Sequence, residues 1–156
     1  KLYLNPFTDI SSLAGMISLK TLHISALSKN RLKGIEVIQT FQDLEKLYIQ
    51  GWNIENIEFL SGLKNIQEIN LRDNKLTSVD QFNKLKSLRS LDVMRNDITD
   101  LTPLIPLVLN NDLDLQGSPN PLRACSPKTV KQMKEGIHCS DNIFNNSWNS
   151  IRRLFL

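Results

Sequence analysis

The chain has 156 residues, 40% hydrophobic and 22% charged, which suits one soluble domain with a core and is too apolar for a disordered chain. Its 25 Leu, 15 Ile and 16 Asn against 6 Gly exclude collagen-like and low-complexity sequence, and its longest apolar run, residues 104–109, is interrupted by Pro106 and falls far short of the roughly 20 residues of a membrane span. The net charge of +3 sits at the end: residues 119–156 hold six Lys/Arg against two Asp/Glu, so residues 1–118 sum to −1 with alternating signs, which opposes a nucleic-acid interface.

No initiator Met and no leader pattern opens the chain, so a mature or trimmed product is expected, any targeting signal having been removed. From there an internal repeat organises the sequence. Lys1 falls part-way through a truncated unit, whose Asn5, Phe7, Ile10, Leu13 and Met16 take the places held later by Asn96, Ile98, Leu101, Leu104 and Leu107. Leu19 opens the next unit, 25 residues before Leu44, with three extra residues between Ile24 and Asn30. Leu44, Ile66 and Leu88 follow at a strict spacing of 22, and the same count starts a last unit at Asn110.

In the Leu88 unit the apolar positions are Leu88, Leu91, Val93, Ile98, Leu101, Leu104 and Leu107. Alternation around Leu91 and Val93 predicts a short strand with one buried face, and the steps of three from Ile98 onward predict tight 3₁₀-like turns. The ninth position holds Asn5, Asn30, Asn74 and Asn96. A buried amide carries two donors and an acceptor, so it can satisfy backbone groups where the strand ends and bends. Trp52 and Ser118 stand at that position in two other units. Trp52 is read either as a gap where the indole packs locally or swings out while Asn53 supplies hydrogen bonds, or as an exposed aromatic anchor.

Over residues 1–122 these features resemble the leucine-rich repeat family, with its pattern LxxLxLxxNxL. The strict 22-residue form is similar to the internalin-like and phosphatase-regulating subfamilies. The resemblance implies an α/β solenoid: a right-handed horseshoe with a parallel concave β-sheet, short 3₁₀ or helical turns on the convex face, and a helical C-terminal cap. It divides the chain into repeats at 1–122, five to six units with the first truncated, and a cap with a tail helix at 123–156. It also implies binding rather than catalysis.

Cys125 and Cys139 lie beyond the last unit. Between them Ser126 suits an N-cap, Pro127 the first helical residue and Gly136 the C′ residue, with Val130, Met133 and Ile137 on one face. The "NPL" at 120–122 followed by two cysteines looks like the cysteine-bearing C-terminal caps of extracytoplasmic leucine-rich repeat proteins, and that likeness implies a Cys125–Cys139 disulfide. Such a bridge closes a loop of about 15 residues and contributes about 3 kcal/mol in the chain-entropy account; two free buried thiols are the alternative. Metal-ligand spacing is absent. Phe144, Trp148, Ile151 and Phe155 form one apolar face of a tail helix, which packs on the cap or, with Arg152 and Arg153, lies on a membrane surface. Asn145-Asn146-Ser147 fits a glycosylation sequon.

No catalytic constellation emerges, so no enzyme and no cofactor are expected: His23 lies on a predicted strand with no neighbouring Cys nucleophile, His138 belongs to the cap, and no glycine-rich phosphate loop occurs. Strand alternation turns the fifth position (Lys1, His23, Tyr48, Asn70, Asp92, Asp114) and the seventh (Tyr3, Ser25, Gln50, Arg72, Met94, Gln116) away from the core. The expected binding residues are Tyr3, His23, Tyr48, Gln50, Asn70, Arg72, Asp92, Met94, Arg95 and Asp114. Asp92 and Asp114 share one column by this count, about 4.8 Å apart, as a solvated acidic patch or a subsite for a cation or basic residue. The expectation is a monomeric, secreted or otherwise extracytoplasmic module with a protein ligand, no nucleic acid and no membrane span. The alternatives are an intracellular, cytoplasmic scaffold of the phosphatase-binding type and a targeting module of a larger enzyme.

Overall fold

The computed structural model describes residues 8–26, 31–123, 126–127 and 129–135. Five strands, β1 (Thr21–Ser25), β2 (Lys46–Gln50), β3 (Glu68–Asn70), β4 (Ser90–Asp92) and β5 (Asp114–Gln116), pair in chain order into one parallel sheet. A 3₁₀ turn at Ser11–Leu13 precedes β1, others at Ile35–Thr40, Glu58–Leu60, Asp80–Lys84 and Thr102–Leu104 run between the strands, helix α1 (Ile105–Asn111) leads into β5, and α2 (Val130–Glu135) follows it. This is the one-strand-per-repeat solenoid that the resemblance implies. Strands of three to five residues are too short to stand alone, and stacking supplies what each lacks. The core runs between sheet and turns as a column of Leu22, Ile24, Leu47, Ile49, Ile69, Leu71, Leu91 and Val93, backed by Phe41, Phe59, Phe82 and Leu104, all buried.

Polar side chains tie successive units together at the end of each strand. Asn74 Nδ2 donates to Ile49 O and Leu71 O, both at 2.8 Å, while its Oδ1 accepts Trp52 N at 3.0 Å and Ile54 N at 3.1 Å. Asn96 repeats the pattern one unit on, donating to Leu71 O at 3.0 Å and Val93 O at 2.9 Å and accepting Leu76 N at 2.9 Å. Trp52 is buried, at 3% exposure, so it is no exposed anchor. Its Nε1 donates to Ile24 O at 3.3 Å, the carbonyl one unit back that an asparagine amide reaches elsewhere. The indole thus replaces one rung of the ladder with a different donor.

Ser118 is not the next rung, as a strict 22-residue count requires; Asn120 is. Its Oδ1 accepts Asn96 N at 3.0 Å, and its Nδ2 donates to Val93 O at 2.9 Å and to Gly117 O. Leu91 pairs with Leu115, 24 residues on, whereas Ile69 pairs with Leu91 at 22. The two additional residues go with α1. An α-helix rises about 1.5 Å per residue against about 2.0 Å for a 3₁₀ turn, so crossing the same distance takes more residues. Pro106 lies in the first turn of α1, where its missing N–H costs nothing.

Two further periodic devices fix the turns. Asp9, Asn56, Ser78 and Asp100 each accept the backbone N–H two residues on, at Ser11, Glu58, Asp80 and Thr102, and so start four of the 3₁₀ turns. Asn65, Ser87 and Asn111 each donate to a carbonyl of the preceding unit, at Gln42, Lys64 and Lys86, over 2.8–3.0 Å. Neither device repeats one residue type, so a search for identical residues passes over both.

The ends depart from the sequence expectation. Met16 is 50% exposed and Ile17 61%, so Met16 is not the core residue that its alignment with Leu107 suggests. Among the described residues its unit is stacked on one side only, by the unit that follows. In the cap, Ser126 is buried and does not cap a helix: its hydroxyl accepts Leu101 N at 2.9 Å. The helix starts later, where Thr129 Oγ1 accepts Gln132 N at 3.1 Å. Met133 is buried and Val130 packs against the core, as expected. Tyr3, Asn5, Asn30, Cys125, Gly136, Ile137, His138, Cys139 and the tail residues 140–156 lie outside the described residues.

Candidate functional site

Strand alternation leaves one face of the sheet open. One row across it is His23, Tyr48, Asn70, Asp92 and Gln116, each the register partner of the next. Beside it run Ser25 and Gln50, paired in register, then Arg72 and Met94. The backbones of that second row stay stacked beyond the strands, with Gly51 N bonded to Arg72 O and Asp73 N to Met94 O. All but Gln116, which is exposed, are half-buried.

Asp114 does not join Asp92. It pairs with Ser90, because the two additional residues of its unit shift it out of the column, and the expected acidic pair does not form. Asp92 is instead bound from two sides: its Oδ2 accepts Asn70 Nδ2 at 3.2 Å and its Oδ1 accepts Met94 N at 2.9 Å. Asn70 Oδ1 accepts Arg72 N at 3.1 Å in the same manner. At this position Asn and Asp finish the strand by accepting the N–H two residues on, an Asx turn. Part of what the sequence offers as binding surface therefore has a structural use.

Tyr48 anchors the other side of the face. Its ring lies 5.0 Å from that of His23, tilted by 32°, a geometry favourable for aromatic pairs. Ser25 Oγ approaches His23 Nε2 at 3.4 Å. The Tyr48 hydroxyl donates to the Glu68 carboxylate and is the main reason that carboxyl titrates below its ordinary value; burial opposes this, and Lys46, 3.0 Å away, reinforces it. Arg72 Nη1 lies 3.8 Å from Met94 Sδ. At the rim Arg72 Nε is 3.4 Å, and Arg95 Nη1 3.5 Å, from the carboxylate of Asp73.

The face thus combines an aromatic, a thioether and two guanidinium groups on a rigid parallel sheet. Among the described residues no group of three or more His, Cys, Asp or Glu is placed to hold a metal ion, and no helix is long and apolar enough to cross a membrane.

Residues 64–106 match the family model described as Leucine Rich repeats (2 copies). Among solved structures the chain is similar to an internalin C2 from Listeria monocytogenes str. 4b F2365, with TM-score 0.64 and 27% identity over 79% of this chain and 52% of that one. It is also similar to an internalin (inlF) from the same strain, with TM-score 0.56 and 26% identity over 74% and 39% of the two chains. A TLR13–ssRNA13 complex shares the fold at TM-score 0.56 and 23% identity, over 70% of this chain and 17% of that one. The chain spans about half the length of the internalin C2 structure. No curated protein sequence matches it. The parallel sheet and these likenesses together make the fold that of a leucine-rich repeat protein.

Proposed function

We propose that the chain is a protein-interaction module that takes a protein ligand on the open face of its sheet. Leucine-rich repeat folds like those of the internalins generally mediate contacts between proteins, and the observation that carries the reading here is the outward set Tyr48, Arg72 and Met94. These occupy three consecutive units and stay half-buried at the middle of the solenoid. Tyr and Arg are enriched at binding hot spots, and Met adapts to irregular partners. A sheet that is already rigid loses little conformational entropy on binding. Asp92 and the exposed Asp114 tune association rate and its salt dependence more than affinity.

The test is partner capture by variants. Tyr48→Ala, Arg72→Ala and Met94→Ala each abolish capture while costing no more than about 1 kcal/mol of stability, since these side chains lie off the core. Alanine at the exposed Lys64, Lys84 and Lys86, away from this face, leaves capture intact. The reverse pattern refutes the assignment. An extracytoplasmic location belongs to the same proposal and rests on Cys125 and Cys139 flanking the cap segment. Titration of the unfolded, non-reduced protein then finds no free thiol; two titratable thiols favour the intracellular scaffold.

A further inference from the structure

The bend that follows each strand adopts a left-handed conformation in three successive units, through Gly51 at φ 78°, Asp73 at φ 58° and Arg95 at φ 54°. Glycine enters this region without steric cost and Asp tolerates it, but an arginine gains nothing there. Arg95 therefore holds a backbone conformation that glycine would hold more easily. Its side chain is 57% exposed and lies outside the core. What it reaches is Asp73, at 3.5 Å, and Asp73 is also shared with Arg72 at 3.4 Å. Both separations exceed the roughly 2.7–2.9 Å of a charge-assisted hydrogen bond. Arg72 Nη1 also lies 3.8 Å from the Met94 thioether, a weak acceptor. Two guanidinium groups thus share one carboxylate at this rim, while Lys75 and Asp97, in the same two units, balance each other at 3.4 Å.

Loose, exposed ion pairs contribute little to stability, so the contact with Asp73 does not account for keeping a strained arginine. Strain retained at a surface position is a mark of use. We infer that Arg72 and Arg95 form a guanidinium fork that receives a carboxylate from an Asp- or Glu-rich segment of the protein partner, with Asp73 drawing the two groups together until that carboxylate takes its place. Planar forks match carboxylates bidentately, and Met94 beside Arg72 offers apolar contact to the flanking residues. Residues 1–118 carry a net charge of −1, which favours a local acidic segment over a long polyanion. The inference rests on the open face being the binding surface and specifies the chemistry of the partner there.

The experiment measures fluorescence anisotropy with three labelled probes: a synthetic peptide rich in Asp and Glu, its Asn/Gln counterpart, and a single-stranded oligonucleotide of equal charge. The same variants are melted in parallel. The acidic peptide binds and the neutral one does not; Arg72→Ala and Arg95→Asn each weaken binding about tenfold, and Arg95→Lys weakens it less. Alanine at both Lys64 and Lys86, which also removes positive charge, changes binding less than twofold. Arg95→Asn melts no lower than the parent chain, because Asn accepts the left-handed region. A lowered melting temperature for Arg95→Asn overturns the inference, as does equal weakening by the lysine pair, tighter Arg95-dependent binding of the oligonucleotide, or no binding of the acidic peptide. Any of these leaves the open-face assignment standing if Tyr48→Ala and Met94→Ala still abolish capture of the natural partner.

Discussion

Asn96 has four backbone partners within hydrogen-bond reach of one amide: Leu76 N–H and the carbonyls of Leu71, Val93 and Met94. Asn96→Leu keeps the size but strips the buried Leu76 N–H of its acceptor, at about 1–3 kcal/mol, and removes one of two donors from each carbonyl, which keep Asn74 Nδ2, Asn120 Nδ2 and Asp73 N–H respectively. The urea midpoint therefore falls sharply, and an unchanged midpoint contradicts the ladder. Trp52→Phe asks the same of the substituted rung: it removes the donor to Ile24 O, with an expected loss of about 1–3 kcal/mol. Asn74 and Asn96 are legible because one residue type recurs at one spacing. Trp52 is not, because its sequence does not say that an indole N–H reaches the carbonyl that an amide reaches elsewhere, and Asn120 is hidden by the two residues that lengthen its unit. Glu68 offers a test by pH. Its folded value lies below the ordinary one of 4.5, mainly because of Tyr48. The stability it contributes is fully present above the unfolded value and is lost as pH falls through the lowered folded value. Tyr48→Phe should raise the Glu68 titration toward 4.5 in an NMR titration; an unmoved titration removes Tyr48 as the cause.

Among the elements, the strands follow the sequence and the cap departs from it. Strands β1 to β4 fall where the alternation places them, since a position turned to the wrong face would expose Leu or Ile. Ser126-Pro127 reads locally as the start of a helix, yet the Ser126 hydroxyl is committed to Leu101 N–H and Thr129 starts the helix instead. A tertiary hydrogen bond to a buried N–H outweighs a cap that the next threonine can supply. Ser126→Ala should therefore cost about 1–3 kcal/mol, by leaving Leu101 N–H without its acceptor. Thr129→Ala should cost about 1 kcal/mol, the ordinary loss of a cap. The reverse order in thermal melts would restore Ser126 as the cap.

For the whole molecule, each repeat rests on its neighbours, so the solenoid is a rigid support for its open face, the binding surface proposed above. The rows of that face are legible from the period alone. Which members are free to bind is not, because Asn70 and Asp92 are engaged in closing their own strands and Asp114 lies in another register. The most direct test of the open face as the binding surface is hydroxyl-radical footprinting of the complex with its captured partner, read side chain by side chain. Met94 and Tyr48, half-buried on the face, should be oxidised markedly more slowly in the complex, while Met16, 50% exposed at the opening turn, keeps its rate. Protection of Met16 with unchanged rates at Met94 and Tyr48 would contradict the account.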